Sequence, residues 1–193
     1  VIDMCGRYTI FSDTEQRDIR DIIDEVQRKV NGELKTGEIF PTDKAPVLIE
    51  QQNKITPELF TWGFPNFKSK GVIINARSET LMERPMFRGC LLSKRCVIPS
   101  TGFYEWTHTE EKGKYLFNLP DTQALYMAGL YNDFDGKRRF VILTTEANSS
   151  MADIHNRMPL VLRNDEVTHW IMNQSEAFKI LDRKRPLLER QPA

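Results

Sequence analysis

Leu125-Tyr126-Met127-Ala128-Gly129-Leu130-Tyr131-Asn132-Asp133-Phe134-Asp135-Gly136-Lys137-Arg138-Arg139-Phe140-Val141-Ile142-Leu143-Thr144-Thr145 is the stretch on which the fold turns. Two short apolar runs, Leu125 to Leu130 and Phe140 to Thr145, flank the turn cluster Asp133-Phe134-Asp135-Gly136, and that separation favours an antiparallel hairpin. Working outward, runs of the same kind occupy Pro46 to Glu50, Leu59 to Trp62, Val72 to Asn75, Arg95 to Ile98, Phe103 to Trp106 and Tyr115 to Leu119. The turn residues Glu111-Lys112-Gly113 separate the last two. Strands so many and so short do not fit a doubly wound parallel sheet. Helical spacing appears at two places. From Asp13 to Val30, residues Ile19, Ile22, Ile23, Val26 and Val30 form one apolar stripe, with Ser12 and Glu15 as a capping box and Asn31-Gly32 as a left-handed stop. A second helix is predicted from Asp165 to Leu181. The expected architecture is α+β: one domain with a mostly antiparallel, barrel-like sheet and flanking helices, without repeat, linker or low-complexity segment.

The chain has 193 residues, enough to bury a core without disulfides or metals. With 40% hydrophobic and 28% charged residues it is ordinary globular material, which excludes a disordered, collagen-like or coiled-coil chain. Lys plus Arg and Asp plus Glu each number 27, so no whole-molecule field draws in nucleic acid, and any anion site must be local. Asp13 to Glu25 carries net −4 and reads as a solvated helix face; Arg77 to Arg95 carries net +3, where an anionic ligand could sit, although ordinary surface charge is the commoner explanation. No apolar run approaches a membrane span, Val1 to Tyr8 holds Asp3 and Arg7 with no h-region behind them, and a cytoplasmic protein is expected. Three cysteines, Cys5, Cys90 and Cys96, are odd in number and lack CxxC spacing, which argues against a disulfide framework and a zinc site. No metal or nucleotide cofactor is indicated. Cys90 and Cys96 read as core.

Three constellations carry chemistry. In Met4-Cys5-Gly6-Arg7-Tyr8, removal of an initiator Met4 would leave Cys5 with a free α-amine and a thiol, and a 1,2-aminothiol condenses with an aldehyde to a thiazolidine. In Thr101-Gly102-Phe103-Tyr104-Glu105-Trp106, strand alternation sets Phe103 and Glu105 on one face and Tyr104 and Trp106 on the other; a carboxyl among aromatics is suited to proton transfer near neutrality. His155-Asn156-Arg157-Met158-Pro159 follows Thr144-Thr145-Glu146-Ala147-Asn148 and supplies an imidazole, whereas His108 and His169 read as structural or exposed. Asn75-Ala76-Arg77-Ser78-Glu79 adds an amide and a guanidinium fitted to an oxygen-rich, phosphorylated ligand. Each signal alone is weak.

Together, and in this order, they resemble the SOS-response-associated peptidase (SRAP) family of abasic-site-processing proteins. The matching stretches are Cys5-Gly6-Arg7-Tyr8, Trp62-Gly63, Asn75 to Thr80, Arg95 to Pro99, Gly102 to Trp106, Ala128 to Tyr131 and His155 to Pro159, which span essentially the whole chain. The resemblance implies a single domain over residues 4–193, with Val1-Ile2-Asp3 as an extension. It further implies a monomer that binds single-stranded DNA and crosslinks to abasic sites through its N-terminal cysteine, in the cytoplasm and on the nucleoid when DNA is bound. In those terms Cys5 is the nucleophile, Glu105 and His155 move protons, and Asn75 holds the opened sugar. Arg77, Arg7 and Arg157 bind flanking phosphates together with Thr145, while Trp62 and Phe67 stack on bases or wedge the strand. The stretch between Trp62-Gly63 and Phe67 is shorter than the family's usual spacing. Two other classes stand beside this one: a thiol autopeptidase or N-terminal-nucleophile hydrolase that uses the same residues with His155 as base, and a noncatalytic DNA-binding module for which the Arg77 to Arg95 cluster suffices and Cys5 is incidental.

Overall fold

The computed structural model describes residues 6–107, 113–120, 122 and 124–193. In chain order the first elements are β1 (Tyr8–Ile10), α1 (Arg17–Lys29), β2 (Gly37–Ile39), β3 (Lys44–Gln51), β4 (Lys54–Trp62), β5 (Phe64–Pro65), β6 (Val72–Ile73) and β7 (Asn75–Arg77). A 3-10 segment (Ser78–Glu83) and α2 (Pro85–Ser93) lead to β8 (Arg95–Ser100), β9 (Gly102–Trp106), β10 (Lys114–Asn118), β11 (Leu125–Phe134) and β12 (Lys137–Glu146). The chain closes with β13 (Arg157–Pro159), β14 (Val161–Leu162), α3 (Asn164–Met172), α4 (Gln174–Asp182) and β15 (Glu189–Pro192).

The hairpin expected from the opening stretch forms, with Phe134 opposite Lys137 and Gly129 opposite Ile142. Its two-residue loop, Asp135-Gly136, takes φ of 50° and 74°, the left-handed pair that matches strand twist. From this ribbon the sheet runs β12-β4-β3-β8-β11 and returns to β12, a closed five-stranded barrel. All its ladders are antiparallel except β12 with β4, where Phe140 lies opposite Trp62 in parallel. Alternate residues of these strands fill the interior, including Val47, Ile49, Phe60, Trp62, Ile98, Phe140 and Ile142. A second antiparallel sheet, ordered β15-β10-β9-β1-β2, grows directly from the barrel because β8 passes into β9 through Thr101. Only glycine fits the next position: Gly102 has φ of +142°, and a Cβ there would stand 2.3 Å from Asn118 Oδ1 and 2.9 Å from the Phe117 carbonyl.

The helices flank this frame. α1 buries Ile19, Ile23 and Val26 and ends at Lys29, where Val30 at the C-cap is already extended; Gly32, at φ of +111°, turns the chain two residues later, so the expected left-handed stop at Asn31-Gly32 is not what ends the helix. Its beginning differs from expectation: the helix starts at Arg17, with Gln16 at the N-cap making no side-chain cap, so Ser12 and Glu15 form no capping box. Thr14 Oγ1 instead accepts from the Gln16 amide at 3.2 Å. The single helix predicted from Asp165 to Leu181 is two, because Asn173 leaves the helical conformation and its Oδ1 accepts the Glu176 N–H at 3.0 Å. An Asn side chain that can cap a new helix competes with continuing the old one. The run from Val72 to Asn75 is divided at Ile74, whose carbonyl accepts from Trp62 Nε1 and from the Ile142 amide. Arg95 is buried and donates to the carbonyls of Leu91, Leu92, Trp170 and Ile171, closing the C-terminal ends of α2 and α3 rather than meeting a ligand. Among the described residues no helix is long and apolar enough to cross a membrane.

Candidate active site

The C-terminal half of β12 gathers residues from distant parts of the sequence. On one side β7 runs parallel to it, with Asn75 opposite Ile142 and Arg77 opposite Thr144. On the other side β13 runs antiparallel, with Met158 opposite Thr145 and Arg157 opposite Glu146. Asn75, Arg77, Thr145 and Arg157 are therefore set around one strand end. The loop between β12 and β13 carries His155 and is pinned where the Ala147 amide donates to the Asn156 carbonyl at 3.1 Å. His155 Nδ1 accepts the Arg157 N–H at 3.0 Å, so in the neutral ring the proton resides on Nε2.

Glu105 comes from the second sheet. It lies on β9, is 2% exposed, and its Oε1 accepts the Trp106 N–H at 3.4 Å. The β1–β9 register pairs Tyr8 with Phe103, and the Tyr104 amide donates to the Arg7 carbonyl, so two residues further along Gly6 stands opposite Glu105. Tyr8 joins this sheet to the first group: its ring meets Trp62 at 5.2 Å, and the Trp62 indole donates to the carbonyl preceding Asn75. Cys5 lies outside the described residues.

Several assigned roles change with burial. Trp62 is fully buried, edge-on to Tyr8 and parallel to Phe140 at 6.3 Å; it is core and offers no face to a base. Phe67 is 76% exposed, its ring tilted against that of Phe134 with centroids 6.3 Å apart. Arg77 is exposed. Arg157, by contrast, is committed inside the protein: Nη1 and Nη2 donate to the two Glu79 oxygens at 2.8 and 2.9 Å, and Nη2 also reaches the Thr144 carbonyl. Arg7 donates to Glu38 at 3.1 Å. Burial alone would raise the Glu79 carboxyl, yet the Arg157 hydrogen bond and charge, with backbone donors, bring it down to about 2. Thr145 Oγ1 leans on the same carboxylate at 3.4 Å. Burial pushes the Cys90 and Cys96 thiols up, so neither is primed as a nucleophile. Glu79 was visible within the Asn75 to Thr80 motif, but no sequence signal marks its pairing with a residue 78 positions away.

The α+β barrel thus sets an amide and an imidazole at one end of β12, and the adjoining sheet carries a buried carboxylate. The chain belongs to the SOS response associated peptidase (SRAP) family, whose profile matches residues 4–191. It is 35% identical over 181 residues to the abasic site processing protein YoaM of Bacillus subtilis (strain 168), covering 87% of this chain and 79% of that one. It is 26% identical over 180 residues to the abasic site processing protein YedK of Escherichia coli (strain K12), covering 89% and 81%. Among solved structures, a Bordetella bronchiseptica protein superposes with a TM-score of 0.77 at 19% identity, covering 98% of this chain and 99% of that one. A Bacteroides thetaiotaomicron protein gives 0.74 at 23%, covering 97% and 91%. At those identities the likeness is one of fold.

Proposed function

We propose that this chain processes abasic sites in single-stranded DNA by capturing the opened sugar at Cys5. The observation that carries the reading is the meeting of Asn75, Arg77 and His155 around one end of β12, with Glu105 opposite Gly6, the residue that follows Cys5. The relatives named above as abasic site processing proteins support the substrate class. In the reaction, the α-amine of a terminal Cys5 attacks the C1′ aldehyde and loses one water as the Schiff base forms; the thiol then adds to C1′, closing a thiazolidine. A Schiff base at C1′ acidifies the C2′ proton and invites β-elimination, and thiol addition removes that electron sink. Glu105 and His155 transfer the protons, Asn75 holds the sugar oxygens, Arg77 takes a flanking phosphate, and exposed Phe67 offers a base-stacking face.

The chemistry requires a free amine at Cys5. The test compares protein trimmed to begin at Cys5 with the chain beginning at Val1, each incubated with a single-stranded oligonucleotide bearing one abasic site and read by denaturing gel and intact mass. The expected product is protein plus oligonucleotide minus one water, with the trimmed form only, and Cys5→Ser exchanges this stable adduct for strand scission. An undiminished adduct with Cys5→Ser refutes the thiazolidine. DNA binding without adduct in either form leaves a binding module, and scission without adduct in the trimmed form leaves a lyase.

A further inference from the structure

The face of the second sheet opposite Glu105 joins Arg7, which the family resemblance sets at a flanking phosphate, to Glu38, Lys114 and Phe40, to which it gives no role. Register and alternation place Arg7 and Tyr104 together, Glu38 opposite Thr9, and Lys114 opposite Trp106, all on one face. The Glu38 carboxylate bridges two cations: Oε2 accepts from Arg7 Nη1 at 3.1 Å and Oε1 from Lys114 Nζ at 3.0 Å. Aromatic rings wall the cations. The Arg7 guanidinium carbon lies 4.4 Å from the Phe40 ring centroid and 5.0 Å from that of Trp106, and Lys114 Nζ lies 3.7 Å from that of Tyr104. The charged side chains are 30%, 32% and 24% exposed for Arg7, Glu38 and Lys114, so solvent and ligands reach them. Partial burial opposes ionisation of Glu38, but Lys114 and Arg7 overcome it and hold the carboxyl below its usual range.

A carboxylate held by two cations offers them what a phosphodiester offers: one negative charge and two acceptor oxygens. The Phe40 ring beside it is 38% exposed, with Arg7 at 4.4 Å and Lys35 Nζ at 5.0 Å from its centroid, and adds an aromatic surface of the kind that unstacked bases pack against. Arg7 also follows Gly6 directly, so a strand leaving the Glu105 side over the start of β1 comes onto this face. We propose that Arg7, Lys114 and Phe40 form a subsite for a nucleotide flanking the lesion, occupied in the free protein by the Glu38 carboxylate, which the phosphate displaces. The inference rests on the reading that the chain binds single-stranded DNA. Glu38 then competes with the ligand, and removing its charge strengthens binding, the reverse of what an ion pair serving only stability would do.

The test is fluorescence anisotropy of a labelled, undamaged oligothymidine with the wild-type chain, Glu38→Gln and Lys114→Met over a range of salt, with melting temperatures of all three. Two partly exposed ion pairs set the expected gain for Glu38→Gln at roughly threefold to thirtyfold tighter binding. Lys114→Met binds more weakly, and its plot of log affinity against log salt is shallower by about 0.7, the value of one phosphate contact on a single strand. Unchanged or weaker binding by Glu38→Gln at an unchanged melting temperature overturns the proposal. If that variant melts lower, the Lys114→Met slope decides, and an unaltered slope overturns it. Wild type that binds and crosslinks while both variants match it removes the subsite alone, whereas wild type that binds no single strand removes the DNA-binding reading and the subsite with it.

Discussion

Replacing Glu79 by Gln removes a charge while nearly preserving the side chain's shape, which isolates what the Glu79–Arg157 fork contributes. Arg157 donates to both Glu79 oxygens, at 2.8 and 2.9 Å, and thereby ties β13 to the 3-10 segment after β7. Burial works against the ionised carboxyl, but the Arg157 contacts outweigh it and take the group from 4.5 to about 2. At face value that fall corresponds to ~3.4 kcal/mol. The Glu79 side chain is 45% exposed, so solvent screening reduces the figure to about 1–2 kcal/mol. Because the folded-state value lies below the unfolded one, the stabilisation is complete above about pH 5 and drains away as the pH falls from 4.5 toward 2, with about 40% left at pH 3. Urea unfolding of both proteins at pH 7 and pH 3 measures it. Glu79→Gln should be less stable by about 1–2 kcal/mol at pH 7, a loss of roughly 2–8 °C in melting temperature for a chain of this size. At pH 3 the gap should fall below about 1 kcal/mol. A gap of the same size at both pH values would show that the fork acts through shape, and the electrostatic argument would be refuted.

Two other substitutions probe the frame and the surface. Gly129→Ala sets a Cβ 2.7 Å from the Val141 carbonyl of the neighbouring strand and 2.3 Å from Ile98 Cδ1, and because one of these is backbone the barrel wall must part; a loss of about 2 kcal/mol or more is expected in chemical unfolding. An unchanged unfolding curve would contradict the close strand approach. Phe67→Ala should leave stability within about 0.5 kcal/mol, since the ring is mostly in solvent, yet weaken single-strand binding by roughly 1–3 kcal/mol, or about 5- to 160-fold. Equal affinity by anisotropy would end the stacking role of Phe67.

The sequence by itself determined the pieces whose signals are local. Alternation and turn chemistry from Leu125 to Thr145 sufficed for the hairpin and a turn within Asp133 to Gly136, because both are set by residues within a few positions of each other; the ladder itself showed that Asp133 and Phe134 stay in the strand and only Asp135-Gly136 forms the loop. The apolar stripe of α1 was legible for the same reason, whereas its end came at Val30, which turns extended two residues before Gly32. The spaced motifs from Gly6 to Pro159 placed the chain in its family, whose profile covers residues 4–191. The break at Asn173 escaped because an apolar period runs through it, and a capping side chain leaves no mark on periodicity.

Only the tertiary structure decided which side of each element meets what. Trp62 reads equally well as platform or core in a strand pattern; closure of the barrel buried it between Tyr8 and Phe140. The resemblance implied phosphate roles for Arg77, Arg7 and Arg157; long-range pairing committed Arg157 to Glu79, set the Glu38 carboxylate against Arg7 in the free protein and left Arg77 on the surface. The physical reason is that strand periodicity fixes which residues share a face, while the partner on that face is chosen by register between strands many residues apart, and a guanidinium takes whichever carboxylate that register delivers.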